Sequence, residues 1–347
     1  MRLVRAFQAQ AKTCTGMGSP FMGRLLTILA DHWDASSALG QKMTTYQGDI
    51  GPAGHSLPLR IAGGLHALVL QNAAPELTAV YPPNMADDAA LRNAALNALK
   101  TNEDFLLDWT QSPPQTNEVR RSAALIAMAQ VAASHFDRPI VLSELGASGG
   151  LNLMWDRFAL ATGTTTFGPP DAVLTLSPNW QGAQPPQASP QVVDRSGVDL
   201  NPLNPKDGDE LLRLMAYLWA DQPHRAELTR AAASVVDTKV ARGDAIDWLE
   251  TRLNAAPTGH MHMIQHTVAW QYFSQDAQTH GTALIEAAGA RATPDTPLAW
   301  MQMETDGQGV GAALTLRLWP GDLTLDLGRA DFHGRWLNWA ERPVHNF

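Results

Sequence analysis

The chain has 347 residues, a net charge of −9, a pI near 5.6 and 45% hydrophobic residues. That length and apolar content allow a large core, built as about two domains or as one domain with an appendage. The acidic balance, with no run of lysines or arginines, argues against broad electrostatic binding to nucleic acid, and no apolar stretch reaches the length of a membrane span.

The chain opens on MRLVRAFQAQAKTC, which lacks the continuous apolar run of a secretory signal, and Cys14 is the only cysteine. No internal disulfide can form, so a reducing, cytoplasmic setting is expected. Helical periodicity follows at residues 5–12, 20–32, 57–72, 88–99, 102–109 and 116–136, without alternating strand patterns before the last of these. Residues 1–115 are therefore expected to form a helical region, a lid covering one end or face of an α/β domain at 116–347. In PPQTNEVRRSAAL, Pro113 and Pro114 force an extended approach, Thr116 is a candidate N-cap, and Glu118 suits the first-turn dipole. Asn117, Glu118, Arg120 and Arg121 crowd this helix start. They read either as a substrate or lid contact or as capping plus a solvated face.

Residues 139–155, PIVLSELGASGGLNLMW, carry the strongest local signal. Residues 140–145 read as a buried parallel strand, 146–150 as a glycine-rich turn and 149–160 as the helix it opens. The dinucleotide pattern GxGxxG is not met, and no GK[ST] of a P-loop follows. The pattern present is an acid, two glycines and a small residue at alternate positions: Glu144, Gly146, Ser148, Gly150. Such a loop lets backbone pass close under a ligand while the acid accepts hydrogen bonds, although a tight turn without a ligand has the same pattern.

Prolines 169, 170, 178, 185, 186 and 190 mark an insertion at about 162–196, in which DAVLTLSP and PQVVDR are expected to form a small strand pair. In VDLNPLNP, residues 198–200 read as a short strand end with Asp199 at its tip. Helices are expected at 207–220 and 223–233, then a strand handing over to a helix at GDA, where Asp244 and Ala245 stand. Asp244 reads as a ligand contact or as an ordinary N-cap. The next strand, GHMHMIQHTV, holds His260, His262 and His266, but no carboxylate completes a spacing such as HExxH, and no metal site is assigned. Gln265 and His266 mark its carboxyl end, where ligands bind in open α/β sheets. A helix at 282–290, a fifth strand in LAWMQMETD, and two alternating segments joined at Pro320 and Gly321 as a hairpin complete the chain. Eleven tryptophans, nearly all in the sheet half or at element ends, read as core and rim.

This order of elements resembles class I S-adenosylmethionine-dependent methyltransferases: an acid and glycine loop, an acid at a strand tip, a GDA-like element, a polar strand end and a terminal antiparallel pair. Serine stands where that family usually has its middle glycine, and its usual catalytic tetrapeptide after the fourth strand is missing. The resemblance implies a Rossmann-type, mostly parallel sheet and S-adenosylmethionine as cofactor. It implies that Glu144, Gly146, Ser148 and Gly150 hold the methionine and ribose portions, Asp199 the ribose, and Asp244 with Ala245 the adenine. His266 would be a general base or substrate contact, and the acceptor a small molecule. The PPQTNEVRRSAAL, ELGASGGLNL, GVDLNP, GDA and DFHGRW blocks also resemble a bacterial family defined by a domain of unknown function. A catalytically inactive nucleoside-binding or interaction module on the same fold, and a metal-dependent hydrolase using the histidine strand, are the alternatives.

Overall fold

The computed structural model describes residues 2–51, 54–255 and 258–344. Helices α1 (Arg2–Gly16), α2 (Pro20–His32), α3 (Ala38–Thr44), α4 (Leu57–Leu70), α5 (Pro75–Thr78), α6 (Asp88–Thr101) and α7 (Glu103–Trp109) come first. Helix α8 (Ser122–His135) leads into the first strand, α9 (Gly208–Ala216) and α10 (Pro223–Val235) follow the strand at Val192–Asp199, and α11 (Ala245–Asn254) and α12 (Gln275–Ala290) flank the strand at Met261–Thr267. The strands are β1 (Ile140–Leu145), β2 (Ala159–Ala161), β3 (Thr166–Phe167), β4 (Thr175–Leu176), β5 (Asn179–Gly182), β6 (Val192–Asp199), β7 (Ala241–Arg242), β8 (Met261–Thr267), β9 (Leu298–Glu304), β10 (Ala312–Trp319), β11 (Leu323–Ala330) and β12 (Trp336–Pro343).

The chain divides into two compact units: Met1–Thr116 with Asp207–Glu227, and Asn117–Lys206 with Leu228–Phe347. The first unit is helical. Phe7, Leu25, Leu26, Leu29, Ile61 and Leu65 are buried in its core. Residues 207–227, expected within the α/β domain, belong to this unit. Asp221 accepts from the Ser19 hydroxyl (2.6 Å) and the Phe21 N–H (3.0 Å) at the start of α2, supplying partners to donors that a helix start leaves open.

The second unit is built on a nine-stranded sheet in the order β5-β12-β11-β10-β9-β8-β1-β6-β7, with a small β3-β2-β4 sheet. Strands β7, β6, β1, β8 and β9 pair in parallel. Counted along the chain, these five lie in the order 3-2-1-4-5, so the winding reverses between β1 and β8. In open α/β sheets a crevice forms at the carboxyl ends of the strands flanking such a reversal. Both strands are buried along their whole length, as expected for strands covered on two faces. Strands β10, β11 and β12 continue antiparallel, and β10 alternates buried and half-buried residues.

The proline-rich insertion departs from expectation. DAVLTLSP and PQVVDR do not pair with each other: Thr175 and Leu176 join β2, while Val192–Asp199 lies beside β1 as a full-length second strand. The segment Asn179–Gly182 runs parallel to β12 at the sheet edge. The DFHGRW block is the turn between β11 and a further strand, β12.

Inside the sheet, the His262 ring shares a 2.9 Å contact with the Ser143 hydroxyl, which also accepts from Arg252 Nε (3.1 Å). Arg252 in turn donates to Asp194 (2.9 Å). Burial first, and then the Arg252 charge, push the imidazole down to about 4 from its ordinary 6.5, so the ring is neutral. Below pH 6.5 the unfolded chain takes a proton that the folded chain refuses, and stability falls. Relative to His262→Gln, the wild type should lose about 1.4 kcal/mol per pH unit between pH 6.5 and 4. Urea unfolding of both proteins at several pH values in that range measures this; a constant difference would assign no such role to the ring.

Candidate functional site

Strand β1 delivers Glu144 to the carboxyl end of the sheet, in register with Gly197 on β6 and Gln265 on β8. Its side chain is 2% exposed, and Oε2 has no hydrogen-bond partner. Burial raises its carboxyl to about 8; the Gln265 amide opposes the rise, the Asp199 charge adds to it and Arg121 opposes it. The amide of Gln265 is held by the Trp155 indole N–H (3.0 Å) and by the Asn152 carbonyl (3.2 Å). An ionisable group at a strand reversal with an oxygen left unpaired is the strongest mark of a binding site in this unit.

The loop after Glu144 satisfies its own donors. Gly146 N and Ala147 N both donate to the Val198 carbonyl at 3.0 Å, and Gly150 N donates to Ala147 O at 2.7 Å. Ser148 N donates to Asp199 Oδ2 (2.9 Å), while Asp199 Oδ1 accepts from Asn201 N (2.8 Å). Asn117 Oδ1 accepts from Gly149 N (3.2 Å) and Leu151 N (2.9 Å). Each backbone N–H from Gly146 to Leu151 therefore points at protein. Ser148 keeps a positive φ of 52°, which costs a side-chain-bearing residue on the order of 1 kcal/mol, and the Asp199 bond helps hold it there. At Gly146 (φ +70°) a Cβ would lie 2.6 Å from Ala269 Cβ, so the glycine admits the loop after β8.

The expected α-helix at 149–160 is instead a 3-10 helix, Leu151–Arg157, followed by β2. Its carbonyls are drawn aside. Asn152 O accepts from Gln265 and Leu153 O accepts from Arg195 Nη1 (2.9 Å), which ties this tighter turn to β8 and β6. Arg195 also forks onto Asp156 (2.6 and 2.9 Å).

The structure brings most of the singled-out blocks to this end of the sheet. Asn117 holds the loop, and Glu118 pairs with Arg120 at 3.0 Å while 2% exposed. Arg121 donates to Thr267 O (3.1 Å) at the end of β8 and to Phe332 O (2.9 Å) in the DFHGRW turn. That turn is closed by Asp331, which accepts from Arg335 at 2.9 and 2.7 Å and from His333 N at 3.0 Å. Gly334 presses on Arg120, whose carbonyl oxygen a Cβ would approach to 2.5 Å. Gly243 N donates to Asp199 O (3.1 Å), setting the GDA turn beside Asp199. There Asp244 is the exposed N-cap of α11, its Oδ1 accepting from Ile246 N (2.8 Å) and Asp247 N (3.2 Å), and Ala245 is buried beneath it.

His266 lies apart from open space. It is fully buried, with Nδ1 2.8 Å from Glu304 Oε1 and Nε2 accepting from the Trp300 indole N–H at 2.9 Å. An acceptor Nε2 makes Nδ1 the protonated nitrogen, so both positions are used. The ring stacks on Trp270 at 4.8 Å. Glu304 Oε1 also takes the N–H groups of Ala269 (2.9 Å) and Trp270 (3.2 Å), which fixes the loop that packs on Gly146. Glu304 and Trp155 were not singled out in sequence; the signal for Glu304 was an acid closing an apolar strand. Among the described residues no group of three or more His, Cys, Asp or Glu is placed to hold a metal ion, and His260, His262 and His266 have separate partners.

Two outcomes follow from this geometry. Asn117→Ala should lower stability by about 1–3 kcal/mol by stranding two buried N–H groups, and should raise hydrogen exchange at Gly149 and Leu151; unchanged exchange there would remove Asn117 from the loop's support. Glu144 has a carboxyl raised above its ordinary 4.5, so the folded chain keeps a proton that the unfolded chain loses. Relative to Glu144→Gln, the wild type should therefore lose on the order of 4 kcal/mol as pH rises from 4.5 to 8, which urea unfolding of both proteins across that range measures; a constant difference would assign Glu144 no such role.

No curated protein matches the chain. A family model described as an uncharacterized protein conserved in bacteria (DUF2332) matches residues 4–339, a span that includes the loop, Asp199, the GDA turn and the DFHGRW turn. The chain belongs to that family.

Proposed function

We propose that the α/β unit binds an adenosyl nucleoside and acts as an S-adenosylmethionine-dependent methyltransferase on a small-molecule acceptor. The observation that carries this reading is the sign of the hydrogen bonding offered at the strand reversal. A dinucleotide or nucleoside triphosphate needs free backbone N–H groups for its phosphates, and the loop from Gly146 to Leu151 has spent its own. What remains is acceptor capacity: the unpaired Glu144 Oε2 and the half-buried Asp199 carboxylate. A ligand rich in donors and positive charge, with an amine, ribose hydroxyls and a sulfonium, suits such a site.

In this reading Glu144 takes the amine, Asp199 the ribose hydroxyls, and Asp244 the adenine amino group through the oxygen that its cap does not use. The cofactor supplies a methyl group bound to a positively charged sulfur. The chain's own part is to fix the acceptor in line and to exclude water. Since both ring nitrogens of His266 are engaged, it is assigned no proton transfer; it positions Trp270 by stacking. A second reading, an inactive binding module on the same fold, is favoured by that engagement.

Thermal melts and calorimetry with S-adenosylmethionine and S-adenosylhomocysteine test the proposal. At 100 times its dissociation constant a ligand adds about 2.7 kcal/mol, raising the midpoint by several degrees. Glu144→Gln should weaken S-adenosylmethionine binding at least tenfold while the protein stays folded. No binding of either compound overturns the proposal, and binding without turnover on a broad acceptor panel selects the module.

A further inference from the structure

The α/β unit has a cavity that shares no residue with the strand reversal. It is a trough of about 470 Å³ over the antiparallel strands and the β5 edge, a volume within the usual range for small-molecule sites. Ala313 of β10, Gly328 of β11 and Ala340 of β12 line it, small residues that leave backbone and methyl groups as its floor. At Gly328 (φ +93°) the ladder shifts register: Asp326 faces Arg342 while Gly328 faces Trp339, so two steps along β11 meet three along β12. This is a β-bulge, a device that re-aims side chains beside binding sites.

The polar groups of the lining come in two rows. Thr315, Asp326 and Arg342 are register partners on three neighbouring strands, so their side chains share one face. Asn338 and Gln181 are partners on β12 and β5. Asp326 and Arg342 carry opposite charges at facing positions, yet no ion pair joins them among the described residues. Asp326 Oδ1 accepts from Gly328 N (2.9 Å), which leaves Oδ2 open. The other cation of the trough is committed: Arg329 forks onto Asp306 (2.7 and 2.9 Å), donates to the carbonyls of Val310 (3.0 Å) and Gly311 (2.9 Å), and acts on Asp326 through charge alone. A half-buried carboxylate and an exposed guanidinium therefore stand side by side over a hollow, neither with an ion-pair partner.

We infer that this trough binds a free α-amino acid with a polar side chain. Its ammonium donates to Asp326 Oδ2, its carboxylate accepts from the Arg342 guanidinium fork, and its side chain meets the amides of Asn338 and Gln181. A singly charged ligand compensates one of the two charges and strips water from the other, and a neutral polyol leaves both uncompensated. A zwitterion satisfies the two together.

Calorimetry on the full chain tests this with L-glutamine as probe, and with N-acetyl-L-glutamine and L-glutaminamide as analogues that lack the ammonium and the carboxylate respectively. L-Glutamine should bind saturably with a dissociation constant below about 1 mM, and each analogue at least tenfold more weakly. Asp326→Asn keeps the oxygen that Gly328 N uses; it should weaken L-glutamine at least tenfold and bind the N-acetyl compound equally well. Arg342→Gln should do the same with L-glutaminamide, and the exposed Arg5→Gln should leave all three affinities unchanged. Absence of saturable L-glutamine binding at that strength, equal binding of the three compounds by the wild type, or undiminished binding in Asp326→Asn and Arg342→Gln overturns the inference and leaves the two side chains as a solvated pair.

Discussion

The internal saturation of the Gly146–Leu151 loop is the constraint on which the α/β unit depends. Besides the loop's own Ala147 carbonyl, which takes Gly150 N, three acceptors from outside it do the work: the Val198 carbonyl, the Asp199 carboxylate and the Asn117 carboxamide. Val198 and Asp199 end β6 and Asn117 precedes α8, so the loop that follows β1 is tied to both. Buried backbone donors must find partners, and supplying them from within the chain makes the loop a rigid floor. It also reverses the usual electrostatic character of a glycine-rich turn. The donors are spent, and the groups left beside them are the carboxylates of Glu144 and Asp199.

A second hub stands at the end of β9. Glu304 gathers the His266 ring and two backbone N–H groups on one oxygen, and these hydrogen bonds hold its carboxyl below the usual range despite burial. The loop it fixes carries Ala269 against Gly146 and Trp270 against His266. The glycine floor and the carboxyl end of β8 are therefore one mechanical piece. Movement of Glu304 would disturb both.

Much of this was legible in the sequence. The apolar runs of β1 and β8, the alternation of β10 and the helical periods before residue 116 appear where composition and spacing place them. The continuous helix read at 149–160 is instead a short 3-10 helix and β2, tied down by Gln265 and Arg195 on the carbonyls of Asn152 and Leu153, residues far along the chain that no local pattern reveals. The proline-rich insertion misled for a similar reason: DAVLTLSP and PQVVDR find their partners in β2 and β1, not in each other. His266 was noticed for its place at a strand end, but its state is set by Trp300 and Glu304, neither of which local spacing could connect to it. Asn117 was singled out with its neighbours as a polar helix start; only the tertiary structure shows that its oxygen serves the loop.

The edge formed by β5 and β12 has a kinetic meaning. β5 lies in the middle of the sequence, and its hydrogen-bonding neighbour is the last strand of the described chain. During synthesis the Asn179–Gly182 segment must wait, unpaired, until Trp336–Pro343 has emerged, and Trp180 has no Trp339 to stack on until then. Pairing across so long a stretch closes a large loop and is intrinsically slow. Prolines on either side of the waiting segment keep it from being lengthened into a continuous strand that another nascent chain could join, so the composition that obscured its structure also guards its interval of exposure.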